Sequence, residues 1–276
     1  MQLAAQPPDR QGDDRLRFSA IFDRLHSFNT LPSMIIVGAQ KAGTSSLFDY
    51  VKQNPNFSAS KRKEVHYFDT NFDRSLNWYK KHFHRTGRRL TFEASPYYIF
   101  HPAVPGRIKK TLPDAKFVVL LRDPVSRTIS HYHHEASRGR EPLSLEDALD
   151  AEAERLEGHA ERLAVSPTAK SAAFRNYSYI ARSLYAEQIE RWYDYFPRSQ
   201  FLFLTSEKMF KNPQWAVDTV ADFMNVPSHP LKRTGIRNKN SYPDTPSALK
   251  ADIRRRLGDG NARLPELIGF TPEWLG

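Results

Sequence analysis

Short apolar runs alternate with longer stretches of mixed polar and apolar positions along most of the chain. Met34-Ile35-Ile36-Val37 ends at Gly38, the pattern of a buried strand. Residues 44–53, closed by Asn54-Pro55, follow as a predicted helix. Leu90–Glu93 predicts a second strand, and Phe117–Leu121 is the clearest strand in the chain. Asp123-Pro124 comes directly after Arg122. Asp suits the N-cap, and Pro at the first helical position loses no hydrogen bond, so a helix is expected to about Arg138, stopped by Gly139. Leu145–Leu156 predicts a strongly acidic helix. Tyr179–Phe196 puts Ile180, Leu184, Ile189, Trp192 and Phe196 near one face, which predicts a long amphipathic helix ended by Pro197. Phe201–Leu204 reads as another strand, and Asn212-Pro213 opens a helix through Met224. Residues 228–246 read as a long loop, followed by a basic helix, Pro246–Leu257. Residues 1–30 are polar and carry Pro7 and Pro8. They are expected to form a loosely ordered lead-in with one short helix near Phe18–Leu25, and residues 31–276 a single domain. Strand–helix alternation predicts an α/β fold with a central parallel sheet flanked by helices.

Composition narrows the function classes. The 276 residues suffice to bury a core, and Lys+Arg 41 against Asp+Glu 31 gives a formal charge of +10. That excess points to an anionic partner without choosing among nucleic acid, an acidic membrane face, a nucleotide and an acidic polymer. The longest apolar runs fall far short of the roughly 18 residues of a membrane span. The first residues lack the basic-then-apolar order of a signal peptide. Cysteine is absent, which excludes disulfide scaffolds, thiol catalysis and Cys-ligated zinc, and fits a reducing compartment. A cytoplasmic protein is expected.

Three segments carry candidate chemistry. Gly38-Ala39-Gln40-Lys41-Ala42-Gly43-Thr44-Ser45 lies between a strand and a helix. Its small residues let the backbone curl, and the helix that follows presents unpaired N–H groups and the positive end of its dipole, an anion site. The nucleotide-triphosphatase form of such a loop places Lys just after the second Gly; here Thr44 stands there and the lysine lies three residues earlier. Nor does Phe117–Leu121 end like a simple magnesium-holding strand, because Arg122 follows and Asp123 has a capping role. The loop therefore predicts a P-loop-like sheet with different phosphate chemistry. In the second segment, Arg122 sits at a strand end and Ser130 eight residues on, about two helical turns in. Together they can grip one phosphate. The third, Lys63-Glu64-Val65-His66-Tyr67-Phe68-Asp69, mixes ionisable and aromatic residues. Partial burial there is expected to raise the Glu64 pKa and make it a better proton acceptor.

Together these segments resemble the sulfotransferases that use 3′-phosphoadenosine 5′-phosphosulfate (PAPS), in particular heparan sulfate sulfotransferases and their bacterial relatives. IIVGAQKAGTSSL is similar to the family's 5′-phosphosulfate loop, RDPVSRTISHY to its 3′-phosphate motif, and KEVHYFD to the segment of its catalytic glutamate. FEASPYYIF, RSLYAEQIERWYDYFP and the loop from Arg237 to Pro243 are further echoes. The resemblance implies a bacterial sulfotransferase with PAPS as donor. Lys41 would meet the sulfuryl or bridging oxygen. Ala42, Gly43, Thr44 and Ser45 would form the rest of the 5′-phosphate loop. Arg122 and Ser130 would hold the 3′-phosphate, and Lys239 and Asn240 would reach the cofactor from the closing loop. Glu64 would be the general base, His134 an acceptor-side polar group, and His66 and Asp69 would shape the acceptor site. Ala94 stands where some heparan enzymes carry a lysine. The acceptor class thus stays open among carbohydrate, lipid and natural-product hydroxyls, with no nucleic-acid partner and no membrane span.

The chemistry is coherent on its own terms. An in-line sulfuryl transfer is mostly positioning and charge stabilisation, as in phosphoryl transfer. The transferred group carries less charge than a phosphoryl group, so no metal is required. Glu93, beside Ser95-Pro96, is a second carboxylate, read as structural in preference to catalytic. Two other readings remain at this point: a nucleotide-dependent kinase on the same fold, and a non-catalytic polyanion-binding module.

Overall fold

The computed structural model describes residues 28–85, 87–235 and 244–275. The expected helix near Phe18–Leu25 and the closing-loop residues Lys239 and Asn240 lie outside them. Seven strands are described: β1 (Phe28–Asn29), β2 (Met34–Gly38), β3 (Phe57–Ala59), β4 (His84–Arg85), β5 (Leu90–Ala94), β6 (Lys116–Leu121) and β7 (Phe201–Thr205). Five of them form one sheet in the order β3-β5-β2-β6-β7, every pair parallel; β1 and β4 form a separate antiparallel ribbon. All five residues of β2 are buried, as expected of a strand covered on both faces. Phe117 on β6 packs edge-on against Trp192 and Phe196, ring centroids 5.0 and 4.7 Å away. These three large buried rings fix the helix Tyr185–Tyr193 on the sheet. Trp192→Ala there costs about 3–5 kcal/mol.

After β2 the chain turns toward β3 and β5; after β6 it turns the opposite way, toward β7. The carboxyl ends of β2 and β6 therefore flank a topological switch point, where open α/β sheets bind ligands. The phosphate-loop candidate follows β2 and leads into the helix Thr44–Val51. Arg122 follows β6 and leads into the helix Pro124–Ala136. Asp123 accepts the Ser126 N–H at 2.8 Å, the expected cap.

Two predicted helices are cut by tertiary hydrogen bonds. Tyr179–Phe196 is helical only from Tyr185; residues 181–183 form a single 3₁₀ turn. The buried Glu152 carboxylate takes the Ile180 and Ala181 N–H groups at 2.7 and 2.9 Å, and Asn261 Oδ1 takes the Tyr185 N–H at 2.7 Å. These partners cap the helix late. Leu145–Leu156 breaks at Ala151 into two helices, so that Glu152 turns inward to make those bonds. The helix Val104–Thr111 gave no sequence signal because Pro105-Gly106 reads as a breaker. Pro105 falls in the first turn, where its missing N–H has no partner to lose.

Candidate active site

A cavity of about 1090 Å³ opens at the switch point. One end is the loop after β2. Lys41 has φ 73° and Gly43 φ 94°. A Cβ on Gly43 would lie 2.7 Å from the Phe210 ring, so the left-handed turn and the close approach both need glycine. Gly43 caps the helix without a side chain, which leaves the Thr44 and Ser45 N–H groups for a ligand; the Ser46 N–H bonds the Gly43 carbonyl at 2.9 Å. The loop is clamped from behind: Ala39 N–H bonds Leu120 O at 2.7 Å, Ser206 donates to the Ala42 carbonyl, and Arg122 donates to the Lys41 carbonyl at 3.0 Å.

Lys41, Gly43, Thr44, Ser45, Arg122 and Ser130 all line this cavity, as do Glu64, His66 and His134. Ala42 does not. It is fully buried, its N–H bonds Ala39 O at 3.1 Å, and it shapes the loop. Asp69 is also buried and does not line the cavity itself; it bonds His66, which does.

Burial, with Arg122 and Arg138 nearby, lowers the Lys41 ammonium to about 8. Its Nζ lies 3.3 Å from His134 Nδ1. Burial and the Lys41 charge lower His134 to about 4, so its ring is neutral at pH 7. A neutral ring that accepts at Nδ1 carries its proton on Nε2, which leaves no lone pair for a substrate proton. His134 thus holds the Lys41 ammonium.

Glu64 departs from expectation. Burial alone would raise its carboxyl. The His66 hydrogen bond and the Lys63 ammonium, 2.5 Å from Oε1, outweigh it and hold Glu64 well below the usual carboxylate range. Burial beside the aromatic residues is legible in the sequence; the approach of the two cations is set by the fold. Glu64 is ionised and its side chain 42% exposed to the cavity. His66 bonds Asp69 at 2.7 Å and sits 3.4 Å from Glu64. Burial pushes the ring down, and the two carboxylates overcome this and raise it to about 9. The Arg175 guanidinium approaches His66 Nε2 at 3.2 Å. Burial likewise pushes Glu93 up, against the pull of the Tyr79 and Ser95 hydroxyls. Glu93 is fully buried and does not line the cavity, in keeping with a structural reading.

Sequence reasoning missed the cations around the acceptor end. Arg138, Arg140, Lys170, Arg175 and Arg182 line the cavity. Arg140 pairs with Glu135 and Lys170 with Asp73. Arg182 bonds the Phe174 and Arg175 carbonyls at 3.3 and 2.6 Å. Among the described residues, no cluster of three or more His, Cys, Asp or Glu side chains is arranged to hold a metal ion. No described helix is long and apolar enough to cross a membrane.

Residues 31–247 match the family described as "Sulfotransferase domain". The chain belongs to the sulfotransferase family. It is 30% identical over 241 residues to heparan sulfate glucosamine 3-O-sulfotransferase 6 of Mus musculus, covering 84% of this chain and 61% of that protein. It is 30% identical over 251 residues to the human 3-O-sulfotransferase 3B1, covering 87% of this chain and 55% of that one. The chain therefore spans between about half and three fifths of these curated relatives. The crystal structure of a sulfotransferase from Alicyclobacillus acidocaldarius superposes with a TM-score of 0.73 at 30% identity, covering 88% of this chain and 98% of that one. The sulfotransferase fold is the P-loop-like one that the loop after β2 predicts.

The donor end fits a phosphate-rich nucleotide. Among the described residues, Lys41 and Arg122 hydrogen-bond only to neutral acceptors there, and no side chain caps the helix N-terminus. An anion would meet two cations and several N–H groups without displacing a carboxylate.

Proposed function

We propose that this sulfotransferase moves a sulfuryl group from PAPS to a hydroxyl of a carbohydrate, with Glu64 as general base. One observation carries the reading: a single cavity joins the phosphate loop, with Arg122 and Ser130, to the ionised Glu64, and Lys41 lines it beside His134. When bound, the donor supplies an activated sulfuryl group on a phosphate leaving group. The first-turn N–H groups of the loop helix and the Thr44 and Ser45 hydroxyls hold the 5′-phosphate end. Arg122 and Ser130 hold the 3′-phosphate as charge-assisted donors. Lys41, steadied by His134, places its ammonium where negative charge grows, an aid worth about 3 kcal/mol for a well-placed donor.

Glu64 takes the acceptor's proton. Its depressed pKa guarantees the ionised form at pH 7 and by itself makes the base weak. An acceptor that fills the cavity excludes water from the exposed carboxylate and raises its proton affinity. His66, held by Asp69, orients Glu64. The cations at the acceptor end favour an acceptor that carries anionic groups, and the relatives' named substrate supports a carbohydrate.

The test is transfer itself. Incubation with PAPS and a panel of neutral and acidic oligosaccharides should yield adenosine 3′,5′-bisphosphate and sulfated product, with acidic acceptors preferred. No turnover with any hydroxyl acceptor, combined with hydrolysis of ATP–Mg, would overturn the reading.

A further inference from the structure

Behind the acceptor end lies a carboxylate that the reaction does not touch. Glu93 is fully buried near the end of β5. It accepts from Tyr79 Oη at 2.5 Å, Ser95 Oγ at 2.7 Å and Tyr98 Oη at 3.3 Å. A carboxylate only accepts, so these hydroxyls point their protons at it and turn their lone pairs away. Those lone pairs have work elsewhere. Ser95 Oγ receives the His66 N–H at 3.2 Å, and Tyr98 Oη receives the Phe68 N–H at 3.2 Å. The neighbouring Ala94 carbonyl receives the Glu64 N–H at 2.9 Å. Every second N–H from Glu64 to Phe68 is thus bonded to residues 94–98. Glu64 and His66 also have φ 62° and 55°, a left-handed conformation disfavoured for residues other than glycine. Such a conformation persists only where its surroundings determine it.

We propose that Glu93 is a positioning residue: it orients the Ser95 and Tyr98 hydroxyls so that they hold the Glu64–Phe68 backbone, and with it the Glu64 carboxylate, at the acceptor. This rests on the reading of Glu64 as base. The ionised form of Glu93 is the one that fits the bonding. In that form the Tyr79, Ser95 and Tyr98 hydroxyls all donate to it, and the Ser95 and Tyr98 oxygens stay free to accept the His66 and Phe68 N–H groups. An amide in place of the carboxylate sets donor against donor, because its NH₂ must donate where a hydroxyl now donates.

The test compares Glu93→Gln and Ser95→Ala with Tyr79→Phe, which removes one bond to the same carboxylate, keeps the ring against Tyr67 and Phe68, and takes no hydrogen bond from the segment. The readouts are kcat, donor KM, affinity for adenosine 3′,5′-bisphosphate and melting temperature. Glu93→Gln and Ser95→Ala should lower kcat by roughly 10- to 100-fold, the span of a small misplacement, with donor KM and bisphosphate affinity within about threefold. Tyr79→Phe should lose comparable thermal stability and keep kcat within about threefold. If Glu93→Gln fails to fold, Ser95→Ala decides. Wild-type kcat in Ser95→Ala, or a kcat that falls in step with melting temperature in all three, overturns the proposal. Glu64→Gln is measured alongside: full activity there defeats the base reading itself, and an inactive Glu64→Gln beside a fully active Ser95→Ala defeats only the positioning role.

Discussion

At the donor end of the cavity backbone N–H groups stand beside side chains rooted at one switch point; at the acceptor end the ligand-facing groups are side chains brought in by separate segments. The loop between β2 and the helix Thr44–Val51 presents N–H groups whose position the sheet and Gly43 determine, and Lys41 and Arg122 complete it from within the same switch point. Glu64, His66, His134 and Arg175 come instead from three stretches that share no element. Their ionisation is mutual: carboxylates lift His66 to about 9, the Lys41 charge helps lower His134 to about 4, and cations hold Glu64 down. N–H groups held by the sheet keep their position when a single side chain changes. A site made of coupled charges is sensitive to each member.

That contrast yields a graded set of tests. Glu64→Gln should have the largest effect, a loss of about 10²–10⁴ in kcat, the span of general-base catalysis, with bisphosphate affinity within a few-fold. Steady-state kinetics beside calorimetry checks the split; equal losses in both would join two ends that this account keeps apart. Lys41→Ala should lower kcat about 10²-fold and weaken bisphosphate binding much less, because its contact strengthens as charge develops. A pure affinity loss with normal turnover would remove it from the reacting centre.

How far each end was legible in the sequence follows the same divide. Gly38 to Ser45 and the Arg122–Ser130 spacing are local patterns, and the structure sets them in one cavity at the crossing of β2 and β6. KEVHYFD was visible as a segment, but the sign of the Glu64 shift was not. It depends on Lys63 folding back to 2.5 Å and on His66 being charged by the buried Asp69. Arg138, Lys170 and Arg175 carried no local signal, since only folding makes them neighbours. In the scaffold, the strands β2, β5, β6 and β7 showed as apolar runs. The late start at Tyr185 did not, because Glu152 and Asn261 impose it from distant sequence.

Smaller effects sharpen the picture. Lys41 titrates near 8 in the free protein, and a bound anion raises it. Bisphosphate affinity should therefore weaken above about pH 8, by up to about tenfold in total, with proton uptake on binding. Calorimetry in two buffers of different ionisation enthalpy measures this, and Lys41→Ala should abolish it. His66 gives the smallest effect. Its raised pKa stabilises the fold fully below about 6.5 and loses that contribution as pH rises through about 9. The melting temperature of His66→Ala should fall less between those pH values than that of the wild type; an identical slope would mean the ring is neutral throughout.

The most direct test of the central claim is a calorimetric titration of the wild type and of Arg122→Ala with adenosine 3′,5′-bisphosphate, AMP and ATP–Mg. The wild type should prefer the bisphosphate to AMP by roughly 10- to 100-fold, the worth of a charge-assisted hydrogen bond, and Arg122→Ala should erase most of that preference. Equal affinity for bisphosphate and AMP in the wild type, or tighter binding of ATP–Mg than of either, would contradict a donor site built for a 3′-phosphorylated nucleotide.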